Sequence, residues 1–192
     1  MKILSAEFIT TAVDSKGWPR GLGAEVAFAG RSNVGKSSMI NALCQRKKLV
    51  RVSNTPGRTR ALNFFELRTE DARGGRHEVR LCDLPGYGFA KVGKGERRAW
   101  QKMIGQYVRE RSQLAAVVCI VDAEVGATED DVLIVPWVRE QGRNVIVAAT
   151  KIDRIPKHRR IPSLLEIEKA LSLPRDSEIG RASCRERVFR SV

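Results

Sequence analysis

Cysteine and histidine are scarce in this chain, and none of them has the spacing of a metal site or a disulfide framework. The four cysteines among the 192 residues are Cys44, Cys82, Cys119 and Cys184. No two of them form a C-x-x-C pair, and the first three lie in apolar segments, so we interpret them as reduced core residues. The two histidines, His77 and His158, lie outside every motif and are assigned no catalytic role. This pattern favours a cytoplasmic protein over a secreted or zinc-binding one.

Long apolar runs are also missing. No stretch approaches the ~18 residues of a membrane-spanning helix. Glu7 interrupts the N-terminus too early for the apolar core of a signal peptide. We therefore expect a soluble protein with no membrane partner.

Acidic residues are much fewer than basic ones. Asp and Glu number 22 against 35 Lys and Arg, which gives a formal net charge of +13. The basic residues are spread along the chain, with the densest run at Lys157-His158-Arg159-Arg160. This distribution favours a nucleic acid or nucleoprotein partner, the alternative being a solvated basic surface without a partner. The length predicts about one domain, and 42% hydrophobic residues exclude a mainly disordered chain.

Residues 30–37 match every fixed position of the phosphate-binding loop motif. The loop reads Gly30-Arg31-Ser32-Asn33-Val34-Gly35-Lys36-Ser37. A buried strand is predicted just before it and a helix just after it, which disfavours a chance glycine-rich turn. In such loops the backbone N–H groups surround the β-phosphate, the lysine reaches the β- and γ-phosphates, and the serine hydroxyl binds Mg²⁺. The loop predicts a nucleoside triphosphate site.

A second motif follows the predicted strand that ends at Cys82. It reads Asp83-Leu84-Pro85-Gly86, the D-x-x-G pattern of switch regions. We expect Asp83 to orient a water on Mg²⁺ and the Gly86 N–H to respond to the γ-phosphate.

A third motif, Thr150-Lys151-Ile152-Asp153, ends another predicted strand at the same edge of the sheet. The Asp153 carboxylate can accept hydrogen bonds from N1–H and the exocyclic amine of guanine, whereas adenine offers an acceptor at N1. The aliphatic stem of Lys151 can cover the base. Asparagine is more usual at the first position, so the Thr150 hydroxyl must supply the bracing hydrogen bond to the phosphate loop. The pattern favours guanine.

The polar segment Val52–Arg60 between the first helix and a predicted hairpin is typical of switch I. Thr59 is a better magnesium ligand than Thr55, because Gly57 gives the preceding backbone freedom. An ordinary surface loop is the alternative interpretation.

The order of segments predicts an α/β fold: a mixed, mostly parallel sheet with helices on both faces. The predicted strands are Val26–Ala29, Leu62–Leu67, His77–Cys82, Leu114–Val121 and Asn144–Ala149, the second and third forming an antiparallel hairpin. The predicted helices cover residues 38–44, 96–111, 129–141 and about 162–171. Trp100 lies on the apolar stripe of the second helix and is interpreted as core rather than as a base-stacking platform.

The two ends of the chain differ in pattern from its central part. Residues 1–24 are expected to be an extended lead-in segment, and residues 25–177 a G domain that is truncated at its C-terminal side. Residues from Glu178 onward show no periodicity, and one of their possible reverse translations is an adapter-like string, so we interpret residues 178–192 as a non-native tail. A genuine basic tail is the alternative.

The strings G-R-S-N-V-G-K-S-S, T-P-G-R-T, D-L-P-G-Y-G and T-K-I-D together closely resemble the EngB family of bacterial GTPases, within the Era-like P-loop GTPases. The similarity runs from Glu25 to Asp153 and more loosely to Ser177. The resemblance implies Mg²⁺-dependent GTP and GDP binding, slow GTP hydrolysis, a role in assembling the large ribosomal subunit through rRNA contacts, and a requirement in cell division and septation. A monomer is expected.

Carried onto this sequence, the resemblance assigns the magnesium ligands to Ser37 and Thr59 and catalytic roles to Lys36, Asn33 and Thr59. Switch I would contact the nucleotide through Gly57, Arg58, Thr59, Arg60 and Ala61. Asn33 matches a residue that helps to hold K⁺ in related GTPases, so K⁺ stimulation is a hypothesis. A further guanine-contacting loop should follow Ser177, where the tail stands instead.

Tyr87 occupies the position of the water-orienting glutamine of many GTPases, which predicts a slow intrinsic rate. Two other functions are alternatives to a GTP switch. One is a metabolic P-loop kinase, which transfers a phosphoryl group to a small acceptor. The sequence shows no cluster of residues that would bind such an acceptor, and the T-K-I-D motif would have no role in such an enzyme. The other is an RNA-binding scaffold with a vestigial GTP site.

Overall fold

The structure, a computed structural model, describes residues 2–21, 23–46, 48–50, 61–87, 94–173, 179–182 and 189–190. Its strands are β1 (Lys2–Ala12), β2 (Ala24–Gly30), β3 (Leu62–Glu70), β4 (Arg76–Asp83), β5 (Leu114–Asp122), β6 (Asn144–Thr150), β7 (Ile179–Ala182) and β8 (Phe189–Arg190). Its helices are α1 (Lys36–Leu43), α2 (Lys94–Glu110), α3 (Glu129–Glu140) and α4 (Arg160–Ala170). Short 3₁₀ turns cover Ser15–Gly17, Ile152–Arg154 and Lys157–Arg159.

The described strands form one mixed sheet in the order β1-β3-β4-β2-β5-β6-β7-β8. The neighbours from β4 through β2, β5 and β6 to β7 are parallel, and the pairs at both edges are antiparallel. The predicted hairpin is confirmed, since β3 pairs antiparallel with β4 across a turn in which Asp71 accepts from the Gly75 N–H. The predicted α/β fold with a mostly parallel sheet is therefore confirmed.

The N-terminal segment contributes more than a lead-in, because β1 pairs with β3 and forms one edge of the sheet. Its register shifts twice, between Ile3 and Ser5 and between Phe8 and Thr10. Such bulges break the alternation of inward and outward side chains, so the segment shows no two-residue hydrophobic period.

Part of the C-terminal segment also joins the sheet, as β7 runs parallel to β6 with Val147 opposite Ile179. A strand at this point was not predicted from the local pattern. The interpretation of residues 178–192 as non-native, and the division at residues 24 and 177, stay predictions.

The two faces of the sheet carry separate apolar clusters. One face packs against α1 through Met39 and Ile40. The other packs against α2, α3 and α4. Trp100 is half-buried against this second cluster, as its place on the apolar stripe predicted. Cys44, Cys82 and Cys119 are buried free thiols, also as predicted, while Cys184 lies outside the described residues.

The C-terminal end of α2 is held firmly. Arg143, just before β6, donates from Nε to the Val108 carbonyl at 2.7 Å and from Nη2 to the Arg109 carbonyl at 3.0 Å. The last carbonyls of a helix have no partner within the helix, and this guanidinium satisfies two of them. Tyr107 of α2 and Arg111, which directly follows the helix, also donate hydrogen bonds to the carboxylate of the buried Glu25 at the start of β2.

Within the described part of the chain, no helix is both long and apolar enough to cross a membrane.

Candidate functional site

The phosphate loop connects β2 to α1 at the carboxyl edge of the parallel strands. Gly30 ends β2, and a Cβ there would lie 2.9 Å from Val34 Cγ1 and 3.0 Å from the Ile120 carbonyl oxygen. Gly35 caps α1 at φ +100, and Asn33 adopts φ +62, a region that asparagine tolerates better than most residues. The motif's glycines are therefore required by the turn itself.

Lys36 and Asp83 form a buried ion pair between Nζ and Oδ1. Lys36 begins α1 and Asp83 ends β4, beside the phosphate loop, because Asp83 lies opposite Phe28 in the parallel pair of β2 and β4. A buried charge needs a counter-charge, and each of these two residues supplies one for the other. An anionic phosphate would give the Lys36 ammonium a second partner. Lys36 can therefore pair with Asp83 when no nucleotide is bound and contact a phosphate when one is.

Oxygen donors suited to Mg²⁺ are present here. The Ser37 hydroxyl is on the first turn of α1, next to Lys36, and the Asp83 carboxylate lies on the neighbouring strand end. The described residues contain no group of three or more His, Cys, Asp or Glu side chains that could hold a metal ion. Mg²⁺ takes only one or two protein oxygens when phosphates and waters complete its octahedron. These residues therefore fit an ion that arrives with a nucleotide.

The third motif lies where it was predicted, at the carboxyl end of β6. The Thr150 hydroxyl donates to the Val34 carbonyl at 2.6 Å, so the predicted brace to the phosphate loop is confirmed. Lys151 adopts φ +57 and begins the 3₁₀ turn that carries Ile152 and Asp153. The Thr150 motif is thus hydrogen-bonded directly to the phosphate loop.

The sequence interpretation missed two acidic residues of this edge. Asp122 ends β5 opposite Thr150 and accepts from Lys151 Nζ at 2.5 Å. Asp131, in the first turn of α3, accepts from the Tyr87 hydroxyl at 2.6 Å. The position of Asp122 directly after a buried strand is the same signal that identified Asp83, and Asp131 completes a Thr-x-x-Asp capping-box pattern that begins at Thr128.

The whole of switch I, Val52–Arg60, lies outside the described residues, and this includes Thr55, Gly57, Arg58, Thr59 and Arg60. Residues on either side of it are described. The Asn41 side chain of α1 bonds both the Val50 N–H, at 2.8 Å, and the Val50 carbonyl, at 2.9 Å. Ala61 directly precedes β3. The described chain on the two sides of switch I is therefore placed up to Val50 and from Ala61 onward.

A cavity of about 110 Å³ opens beside the phosphate loop. Its lining includes Ser32, Asn33, Asp122, Asp131 and Lys151, which join the loop to the third motif. A larger cavity of about 700 Å³ lies between α2 and α3 and has mostly apolar walls. Phosphates need convergent N–H groups and cations, so the smaller, polar cavity is the one that belongs to the site.

Known proteins match this chain in sequence. The family model described as 50S ribosome-binding GTPase matches residues 25–151. The probable GTP-binding protein EngB of Myxococcus xanthus is 58% identical over 175 residues, covering 91% of this chain and 84% of that protein. The chain belongs to the EngB family of GTP-binding proteins. A second EngB, from Anaeromyxobacter sp. strain K, is 50% identical over 93% of this chain and 83% of its own length.

Solved structures share the fold. A crystal structure of a probable GTP-binding protein EngB superposes with a TM-score of 0.62 at 24% identity, over 84% of this chain and 90% of that one. A structure of Aquifex aeolicus Era bound to GDP and AlF₄⁻ gives a TM-score of 0.67 at 24% identity, over 85% of this chain and 52% of Era. As a member of the EngB family, this chain binds guanine nucleotides and hydrolyses GTP. The kinase and the scaffold with a vestigial site are thereby disfavoured.

Proposed function

We propose that this chain is a slow, GTP-dependent switch that acts in assembly of the large ribosomal subunit and is needed for normal cell division and septation. The proposal rests on the site geometry: Lys36, Asp83 and the Thr150 hydrogen bond to the phosphate loop lie at one edge of the sheet. The family model that matches the chain is described as a 50S ribosome-binding GTPase, which supports the ribosomal role. The net charge of +13 suits an rRNA partner. We place the protein in the cytoplasm, as a monomer.

The proposed nucleotide site has three parts. Phosphates are bound by the N–H groups of residues 30–37 and by the Lys36 ammonium, which also stabilises charge that develops during hydrolysis. Gly86 senses the γ-phosphate, and Asp153 binds the guanine edge. Ser37 and Thr59 are the proposed magnesium ligands. When bound, Mg²⁺ neutralises phosphate charge.

The remaining assigned residues support these groups. The proposed nucleotide contacts include Arg31, Ser32, Asn33, Val34, Gly35, Leu84, Pro85, Lys151, Ile152, and switch I residues Gly57, Arg58, Arg60 and Ala61. The G domain is proposed to span residues 25–177, preceded by the segment that carries β1.

Ribosome sedimentation tests the proposed partner. We expect this protein to sediment with large-subunit particles when a non-hydrolysable GTP analogue is present and to stay in the supernatant with GDP. Raising the salt concentration should weaken the association, because phosphate contacts release counterions. Sedimentation that is equal with both nucleotides would contradict a GTP switch, and none with either would contradict the ribosomal role.

Potassium dependence tests the role of Asn33. We expect GTP hydrolysis to be about tenfold faster in K⁺ than in Na⁺ buffer, because a cation near the β- and γ-phosphates offsets transition-state charge. Asn33→Gly keeps the backbone free to adopt φ +62 but removes the carboxamide. This variant should lose the difference between the two cations. Equal turnover of the unmodified protein in K⁺ and Na⁺ would reject the hypothesis.

A further inference from the structure

The Tyr87 side chain is fully engaged away from the phosphate loop. Tyr87 is buried, and its hydroxyl donates to Asp131 Oδ1 of α3 at 2.6 Å. Its ring packs edge-on against Trp100 of α2, with 6.3 Å between the ring centroids. Burial and the nearby Asp131 carboxylate raise the pKa of Tyr87 far above its usual range, so the hydroxyl stays protonated and remains a donor. In this arrangement it is not free to orient an attacking water.

Asp131 is a rigid acceptor. It is 1% exposed, and its other oxygen, Oδ2, accepts from the Thr128 N–H at 2.9 Å and from the Thr128 hydroxyl at 2.6 Å. The bond from the Thr128 N–H is one half of the capping box that starts α3, and in the other half the Thr128 side chain accepts from the Asp131 N–H. A carboxylate fixed in this way cannot follow a moving partner, so it holds the Tyr87 hydroxyl in one place.

The backbone of Tyr87 is bonded to the phosphate loop. Its N–H donates to the Gly30 carbonyl at 3.3 Å, and its carbonyl accepts from the Ser32 N–H at 3.2 Å. Gly86, the preceding residue, packs so closely that a Cβ there would lie 2.9 Å from Ser32 Oγ and 3.0 Å from Ser32 N. The end of the D-x-x-G motif is therefore held between the loop on one side and α3 on the other.

We propose that Asp131 is a positioning residue for the response to GTP, which acts through Tyr87 to hold Gly86 against the phosphate loop, ready for the γ-phosphate. The inference rests on the proposed role of Gly86. A group that is already in place loses little conformational entropy when the γ-phosphate binds, whereas a free segment must be ordered first. GDP has no γ-phosphate, so the anchor favours GTP selectively.

Tyr87→Phe tests the anchor, because it removes one hydroxyl and keeps the ring that packs on Trp100. We expect the ratio of GTP affinity to GDP affinity to fall about tenfold, the size of a hydrogen bond to a charged group, while GDP affinity changes less than about twofold. The measurement is displacement of a fluorescent GDP analogue by GDP and by a non-hydrolysable GTP analogue, with thermal unfolding of each variant recorded alongside.

Tyr107→Phe is the matched control, because it also removes one buried hydroxyl that donates to a carboxylate, here Glu25 at 2.7 Å, and leaves Tyr87 and Asp131 unchanged. It should lower the melting temperature about as much as Tyr87→Phe and leave the affinity ratio near that of the unmodified protein. An equal fall in the ratio for both variants would overturn the inference, since a general loss of stability would then explain it.

Gly86→Ala separates the anchor from the assignment on which it rests. The added methyl group collides with Ser32, so this variant should lose the preference for GTP. If Gly86→Ala loses the preference and Tyr87→Phe keeps it, the role of Asp131 is wrong and the site assignment stands. If Gly86→Ala keeps the preference, the assignment of Gly86 is wrong and the inference falls with it.

Discussion

Replacing Glu25 with alanine should lower the free energy of unfolding by about 3–5 kcal/mol, the cost of breaking a buried ion pair. Glu25 is fully buried at the start of β2. Its carboxylate accepts from Arg111 Nε at 3.0 Å and Nη2 at 2.8 Å, and from the Tyr107 hydroxyl at 2.7 Å. Arg80 Nη1 is 3.6 Å from the same carboxylate. Alanine would leave two buried guanidinium groups without their counter-charge.

Urea unfolding gives the measurement. For a slope of about 2 kcal/mol per molar, the midpoint should fall by about 2 M. Glu78→Ala is the control, because Glu78 lies 3.7 Å from Arg68 in an exposed pair on the neighbouring hairpin. Exposed pairs contribute about 0–1 kcal/mol, so its midpoint should barely move. Equal midpoints for the two variants would contradict the structural role of Glu25.

Replacing Lys36 with alanine should weaken GDP and GTP binding by about 100-fold or more, since charge-assisted contacts to two phosphates are lost together. The change should be visible by calorimetry with Mg²⁺. Lys48→Ala is the control, because Lys48 is exposed after α1. Its nucleotide affinities should stay close to those of the unmodified protein.

The ion pair with Asp83 complicates the first variant, because alanine leaves a buried carboxylate unpaired. Combining Lys36→Ala with Asp83→Asn removes that charge, so stability should partly recover while nucleotide binding stays lost. Recovery of binding in the double variant would show that Lys36 serves only to neutralise Asp83, and not to bind phosphate.

Much of the site could be predicted because its functional residues lie in short, contiguous sequence motifs. The phosphate loop and the Thr150 motif each follow a buried parallel strand, and parallel strands bring their carboxyl ends to one edge. The Thr150 brace could even be inferred from the departure from asparagine. The role of Asp131 could not, because it depends on a contact with Tyr87, which is 44 residues away in sequence.

The fold was predictable to the same extent. Central strands such as β5 read as unbroken apolar runs. Strand β1 did not, because its two bulges disrupt the alternation that an edge strand would show. Glu25 was left out of the predicted strand that begins at Val26, since a charged residue is seldom fully buried without partners. Its main partner, Arg111, is 86 residues away in sequence.

Helix α2 is tethered unequally along its length. Near its C-terminal end, Tyr107, Arg111 and Arg143 tie it to the sheet, whereas Trp100, closer to the other end, donates to the Pro85 carbonyl beside the nucleotide edge at 3.2 Å. A helix that is fixed at its C-terminal end can tilt about that end but cannot move along its own axis. A shift at Pro85 would therefore change the tilt of α2, with the largest displacement at the N-terminal end of the helix, near the phosphate loop, and the smallest at its C-terminal end.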